Sequence, residues 1–133
     1  MAKLTADDRA LIGKAKALVR KRNVTGGIIG EVGSCLRADD GSLYSGVSLD
    51  LWCGVGFCAE HSAIAAMVSN SKATGLDTIV ACTDKGVIPP CGRCREMMHL
   101  IDGRNRKNTW VIVSKSEKKR LMELLPRHFW IRD

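Results

Sequence analysis

Aromatic residues are scarce in this sequence. Two Phe, one Tyr and three Trp make up 5% of it, too few for the succession of stacking faces on which single-stranded nucleic acid is bound. Proline is scarcer still, at three residues, which excludes a Pro-rich linker or an extended polyproline segment. No apolar run approaches the roughly 18 residues of a membrane-crossing helix. The N-terminal stretch MAKLTADDRALIGKAKALVR mixes acidic and basic residues through its apolar ones, where a secretory signal would have an unbroken apolar core. These absences lead to the expectation of a cytoplasmic protein with no membrane partner.

The 133 residues present suffice for one domain, expected to span 1–133. Hydrophobic residues at 45% and charged residues at 26% are the proportions of a chain that folds on its own. The formal net charge of +7 admits anionic partners, but by itself it argues for solubility and association and not for a function. With so few aromatics beside it, nucleic acid is not the expected partner. In a reducing compartment, the six cysteines read as metal ligands, catalytic thiols or small core residues before disulfides.

Hydrophobic periodicity and caps divide the chain into alternating helices and strands. Thr5 and Asp8 resemble a capping box, and Leu4, Leu11, Ala15, Leu18 and Val19 share one helical face, so a first helix is expected over 5–22. Its basic end, Arg20-Lys21-Arg22, suits a helix C-terminus. Strands are expected at 28–36 and 43–49 around the turn Asp39-Asp40-Gly41, then at 77–83 and 109–113. Helices are expected at 58–68, directly after Pro89-Pro90 at 91–101, and from a Ser114–Glu117 cap to Pro126. Lys118-Lys119-Arg120 would be a solvated face of that last helix, and 69–75 and 103–108 surface loops. The alternation predicts an α/β fold, a three-layer α-β-α sandwich around a mixed five-stranded sheet.

The chemistry concentrates in Cys58-Ala59-Glu60-His61 and Pro90-Cys91-Gly92-Arg93-Cys94-Arg95. Both stretches open helices. Residues three apart in a first turn lie on one face, so Cys91 and Cys94 can aim both sulfurs at one point. Unpaired N–H groups there favour the thiolates a metal needs. Three thiolates on Zn²⁺ leave one net negative charge. Arg93, between two of the cysteines, is a candidate donor to offset it.

Two arrangements are open at this point. Cys58, Cys91 and Cys94 can hold Zn²⁺ with the fourth position left for water and Glu60 beside it to move protons. Alternatively His61, three residues after Cys58, closes a structural Cys₃His site in a non-catalytic domain. A structural site has no use for a carboxylate between its ligands, and a chain of this size needs no metal staple, so the catalytic arrangement is preferred.

C-A-E at 58–60 and P-C-x-x-C at 90–94, with first cysteines 33 positions apart, resemble the zinc nucleoside deaminases. V-G-S-C-L at 32–36, D-G-S-L-Y-S-G-V at 40–47 and E-L-L-P at 123–126 with Phe129 are similar, in the same order, to segments of the small cytidine deaminases. Most of residues 28–130 is covered. The resemblance implies a hydrolase that converts a cytosine nucleoside to its uracil counterpart plus ammonia. It assigns Cys58, Cys91 and Cys94 as zinc ligands and Glu60 as the group that relays protons to N3 and to the departing amine. A place in pyrimidine salvage and a homotetramer with shared sites are also implied, with Phe129 where the family places an aromatic reaching a neighbour.

Several positions depart from that pattern. The family's Asn-x-Glu pair, which binds the ribose hydroxyls, is matched by Ser48-Leu49-Asp50, making Ser48 and Asp50 the candidate substrate-binding residues with shorter reach. Gly30 stands where an aromatic packs beside the substrate, His61 where an Arg often follows C-A-E, and Glu96 where a Gln is usual. The blasticidin S deaminases also lack that Arg and carry P-C-G-R-C-R, so a modified or antibiotic cytosine nucleoside is the alternative substrate. Cys35 and Cys82 are expected in the core, and His99 and His128 in packing or at the surface.

Overall fold

The fold is described from a computed structural model covering residues 2–129; residue 130, the far end of the resembling stretch, lies outside the described residues. In chain order its elements are α1 (Ala6–Ala17), β1 (Arg22–Val24), β2 (Gly27–Ala38), β3 (Leu43–Leu51), β4 (Gly56–Phe57), α2 (Ala59–Asn70), β5 (Leu76–Thr83), β6 (Gly86–Ile88), α3 (Gly92–Ile101), α4 (Asn105–Asn108), β7 (Trp110–Ile112), β8 (Lys118–Arg120) and α5 (Leu121–Leu124). The sheet runs β4-β3-β2-β5-β7-β8, with β1 added to β2 and β6 to β5. Only β5 and β7 are parallel, so the sheet is mixed as expected. The short strands β1, β4, β6 and β8 widen it beyond five.

Strand alternation builds two cores on opposite faces of this sheet. Leu36, Ile79 and Val111 meet Ala63, Ile64 and Met67 of α2 and Cys94 and Met98 of α3. Their immediate neighbours Cys35, Val80 and Ile112 meet Leu11 and Ala15 of α1. Since successive strand residues point to opposite faces, each central strand serves both layers. Cys35 and Cys82 are buried in the α1 layer, the core positions expected of them.

Helix α1 starts as expected: the Thr5 hydroxyl accepts from Asp8 N and the Asp8 carboxylate from Thr5 N. It ends at Ala17, however, five residues short of the expected boundary at 22. Val24 pairs with Gly27 across a tight turn, which draws Arg22–Val24 into an antiparallel strand. Arg20 N donates to Gly30 O at 2.9 Å on the way. The basic run is loop and edge strand, not a helix end.

The expected last helix is also corrected. Residues 114–117 form a turn in which Val113 N donates to Glu117 O, and Lys118–Arg120 return antiparallel to β7. The Ser114–Glu117 pattern that suggests a cap instead closes a hairpin, and the helix is reduced to Leu121–Leu124. Lys118 is no solvated residue: it is 9% exposed, pairs with the buried Asp8 at 2.8 Å and lies over the Trp110 ring. Arg120 covers the same ring at 3.7 Å. The 103–108 segment likewise contains more than a surface loop. Asn105 is buried there, accepting from Leu76 N and donating to Met98 O and Thr74 O.

Helix α2 lies close on β3. A Cβ on Gly46 would collide with Ser62 Oγ and with the α2 backbone at Ala63. Further along β3, register slips: three residues of β2, Gly30, Glu31 and Val32, stand opposite Ser48 alone between the pairs Ile29–Leu49 and Gly33–Val47. The bulge residues Glu31, Val32 and Ser48 line one cleft with Cys58 and Cys91 at the N-termini of α2 and α3. No described helix is long and apolar enough to cross a membrane.

Candidate active site

Cys58 and Cys91 are the N-caps of α2 and α3, and Cys94 sits on the first turn of α3. Each helix follows extended chain, Gly56–Phe57 in one case and Pro89-Pro90 in the other, so both helix starts are set by what precedes them. The two N-termini converge. The Cys58 and Cys91 sulfurs are 3.4 Å apart and those of Cys91 and Cys94 3.5 Å, and all three lie within 4.8 Å of one another.

Burial pushes the Cys91 thiol up, but the N–H groups of Cys94 and Arg93 and the two neighbouring sulfurs outweigh it and bring it below the ordinary thiol value. Cys58 goes the other way, raised by burial, by Cys91 and by Glu60. Cys94 is raised furthest, through burial, the Glu60 carboxylate and both other sulfurs. Ionising all three thiols would thus gather negative charge that the surroundings do not balance, a cost that a divalent cation relieves. Tetrahedral Zn²⁺ bound at about 2.3 Å to each sulfur would place them roughly 3.8 Å apart, close to the spacing found. The donor set fits zinc.

Glu60 is 5% exposed on the first turn of α2, and burial pushes its carboxyl up. His61 does not join the three sulfurs; its ring lies near Arg93, and burial first, then that guanidinium, lowers its pKa. A closed Cys₃His site is therefore not what the described residues form.

The cluster borders a cleft of about 890 Å³. Cys58, Glu60, Cys91 and Arg93 line one side, and Ser48 and Asp50 the β3 wall. Ser48 Oγ accepts from Val32 N at 3.0 Å, so the hydroxyl also fills the bulge and keeps its proton and one lone pair to offer. Asp50 is exposed, and its carboxylate takes part in none of the described hydrogen bonds. Arg93 is exposed, and its guanidinium makes no described hydrogen bond to a sulfur.

Gly30 does not line the cleft. Its φ is +77°, and a Cβ would collide with Arg20 O, so the missing side chain leaves no extra room for substrate. Glu96 accepts from Phe129 N, tying the C-terminal segment to α3. His99 is buried against His128, with ring centroids 4.1 Å apart, a packing role. Motif reading passes over Arg95. Its guanidinium donates to Pro90 O at 2.9 Å and to Leu124 O at 3.1 Å, bracing the loop before Cys91 against α5. Sequence offers no signal for this, since the acceptors are backbone carbonyls.

Neither a protein-family model nor a curated protein sequence matches the chain. Solved structures do. A crystal structure of cytidine deaminase from Mycobacterium tuberculosis superposes with a TM-score of 0.78 at 24% identity, covering 96% of this chain and 100% of that one. Cytidine deaminase from Burkholderia pseudomallei gives 0.72 at 25% identity over 95% and 100%, and that from Mycobacterium leprae 0.73 at 24% over 92% and 100%. The chain therefore has the cytidine deaminase fold over nearly its whole length and carries, at its cleft, a three-cysteine group whose geometry fits zinc.

Proposed function

We propose that the protein is a zinc-dependent hydrolase that deaminates a cytosine nucleoside. One observation carries this reading: three sulfurs and the buried Glu60 carboxyl meet at the wall of a cleft in this fold. Cys58, Cys91 and Cys94 would hold the metal, which when bound supplies a water acidic enough to attack near neutral pH. Glu60 takes a proton from that water and delivers it to ring N3. It then moves the second proton to the amine, which leaves C4 as ammonia while the water oxygen becomes the C4 carbonyl. Burial suits Glu60 to this, because raising the carboxyl above its ordinary value makes it a better proton acceptor.

Asp50, unpartnered on the β3 wall, and the free proton of Ser48 would meet the sugar hydroxyls. Arg93, on the first turn of α3, would offset thiolate charge. A cytoplasmic homotetramer serving pyrimidine salvage belongs to the same reading, with the 69% exposed Phe129 as a contact to a neighbouring copy. The charged rim of the cleft, Glu31, Lys21, Asp84 and Lys85, favours a second reading in which the nucleoside carries a charged substituent of the blasticidin S kind.

The test is ammonia release from cytidine, deoxycytidine, cytosine, blasticidin S and single-stranded oligonucleotides. Release from free nucleosides is expected. Release from oligonucleotides alone would overturn the proposal.

A further inference from the structure

Among the described residues that line the cleft, Phe57 is the one aromatic. It directly precedes Cys58, so its ring and the first sulfur of the cluster project from consecutive residues. Its backbone is held firmly. β4 pairs with β3 through Phe57–Leu49 and Gly56–Asp50, and the loop before it is braced by Leu51 N to Val55 O and Trp52 N to Gly26 O. Yet the side chain remains 38% exposed beside the cleft.

An apolar ring left partly exposed at a cleft wall, beside its cross-strand neighbour Leu49, is a surface for a flat ligand. Gly30 offers no side chain, so no aromatic on β2 competes for this task. We propose that Phe57 is a substrate-binding residue on which the substrate's pyrimidine ring lies, with C4 turned toward the cysteine cluster. Stacking is tolerant of ring identity, so the residue contributes binding of any pyrimidine while the cluster and Glu60 select the amine. This rests on the cytosine-nucleoside reading above.

The experiment uses the full zinc-loaded chain. KM and kcat for deoxycytidine, and Kd for the product deoxyuridine by calorimetry, are compared in wild type, Phe57→Leu and Phe57→Tyr, with zinc content and elution volume recorded. Phe57→Leu should raise KM and Kd together by about tenfold, leave kcat within about twofold, and Phe57→Tyr should restore both. Unchanged KM and Kd in Phe57→Leu would overturn the proposal, as would a rise accompanied by zinc loss or an altered elution volume, which would assign the ring to the metal loop or to a subunit contact. A wild type that neither binds nor deaminates a nucleoside would sink the underlying reading, before any variant is compared.

Discussion

The sulfurs of Cys58 and Cys91 lie 3.4 Å apart although 33 residues separate them, and each residue is the N-cap of a different helix. Both helices pack on one face of the sheet through a shared apolar layer containing Ala63, Ile64, Met67 and Met98. The approach of the two thiols is thus fixed by the core beneath them.

Replacing Cys94 with Ser should abolish zinc binding, because Cys94 is fully buried and a hydroxyl supplies no thiolate there. Metal content, read with a chromogenic chelator, checks this. Stripping zinc from the wild type should stop ammonia release but leave the far-UV circular dichroism in place, since two aliphatic layers support the sheet. Collapse of that signal would show instead that the metal is a folding element.

Glu60→Gln should keep zinc and lose about 10²–10⁴-fold in turnover, the range for removal of a general acid–base group. A normal rate with normal metal content would contradict its role.

Acid stability follows from two carboxylates. Burial pushes Asp8 up, but donation from Lys118 and from Thr5 outweighs it and leaves the group below 3.8. Asp102 is held at about 2, first by the Arg104 guanidinium and, against burial, by Arg104 N and Thr74. Groups with depressed folded-state values stabilise above their unfolded value and lose that stabilisation as pH falls through the folded one. Urea midpoints should therefore drop from about pH 4 toward pH 2. Asp8→Asn should flatten that dependence and cost on the order of 3 kcal/mol at neutral pH, by leaving the Lys118 ammonium buried without its partner.

Gly46→Ala should destabilise the protein by about 1–3 kcal/mol, because β3 and α2 must separate to admit the methyl group. A denaturant midpoint equal to wild type would show that the two elements adjust freely.

The adjacent arginines should separate in their effects. Arg95→Ala removes charged donors from two backbone carbonyls and should cost about 1.5–3 kcal/mol of stability. Arg93→Ala should leave the denaturant midpoint unchanged and weaken zinc retention in competition with a chelator; equal retention would remove Arg93 from the account of thiolate charge.

Much of this was legible beforehand because it is local. A capping box, the Asp39-Asp40-Gly41 turn and Pro89-Pro90 act on their immediate neighbours, and the cysteine spacings place sulfurs on helix first turns whatever the rest of the chain does. The failures share a cause. Arg22 leaves α1 because β2 offers it a pairing edge, Lys118 enters β8 because Asp8 waits 110 residues earlier in sequence, and Gly30 is glycine because the backbone of Arg20 crosses it. Each is decided by a strand pairing, an ion pair or a backbone crossing, none of which hydrophobic periodicity encodes. Ser48 is the mixed case: its place on the cleft was readable, its bond to Val32 N was not.

The bulge of three residues against one adds two residues to β2, an even number. The strand therefore resumes with its inward and outward positions in the same phase, and Cys35 and Leu36 still face their own helices. An insertion or deletion of two residues at 30–32 would reshape the mouth of the cleft while leaving both layers in register, whereas a change of one would exchange their contents. This part of the chain can be lengthened or shortened in pairs, which lets the pocket diversify at a fixed interior.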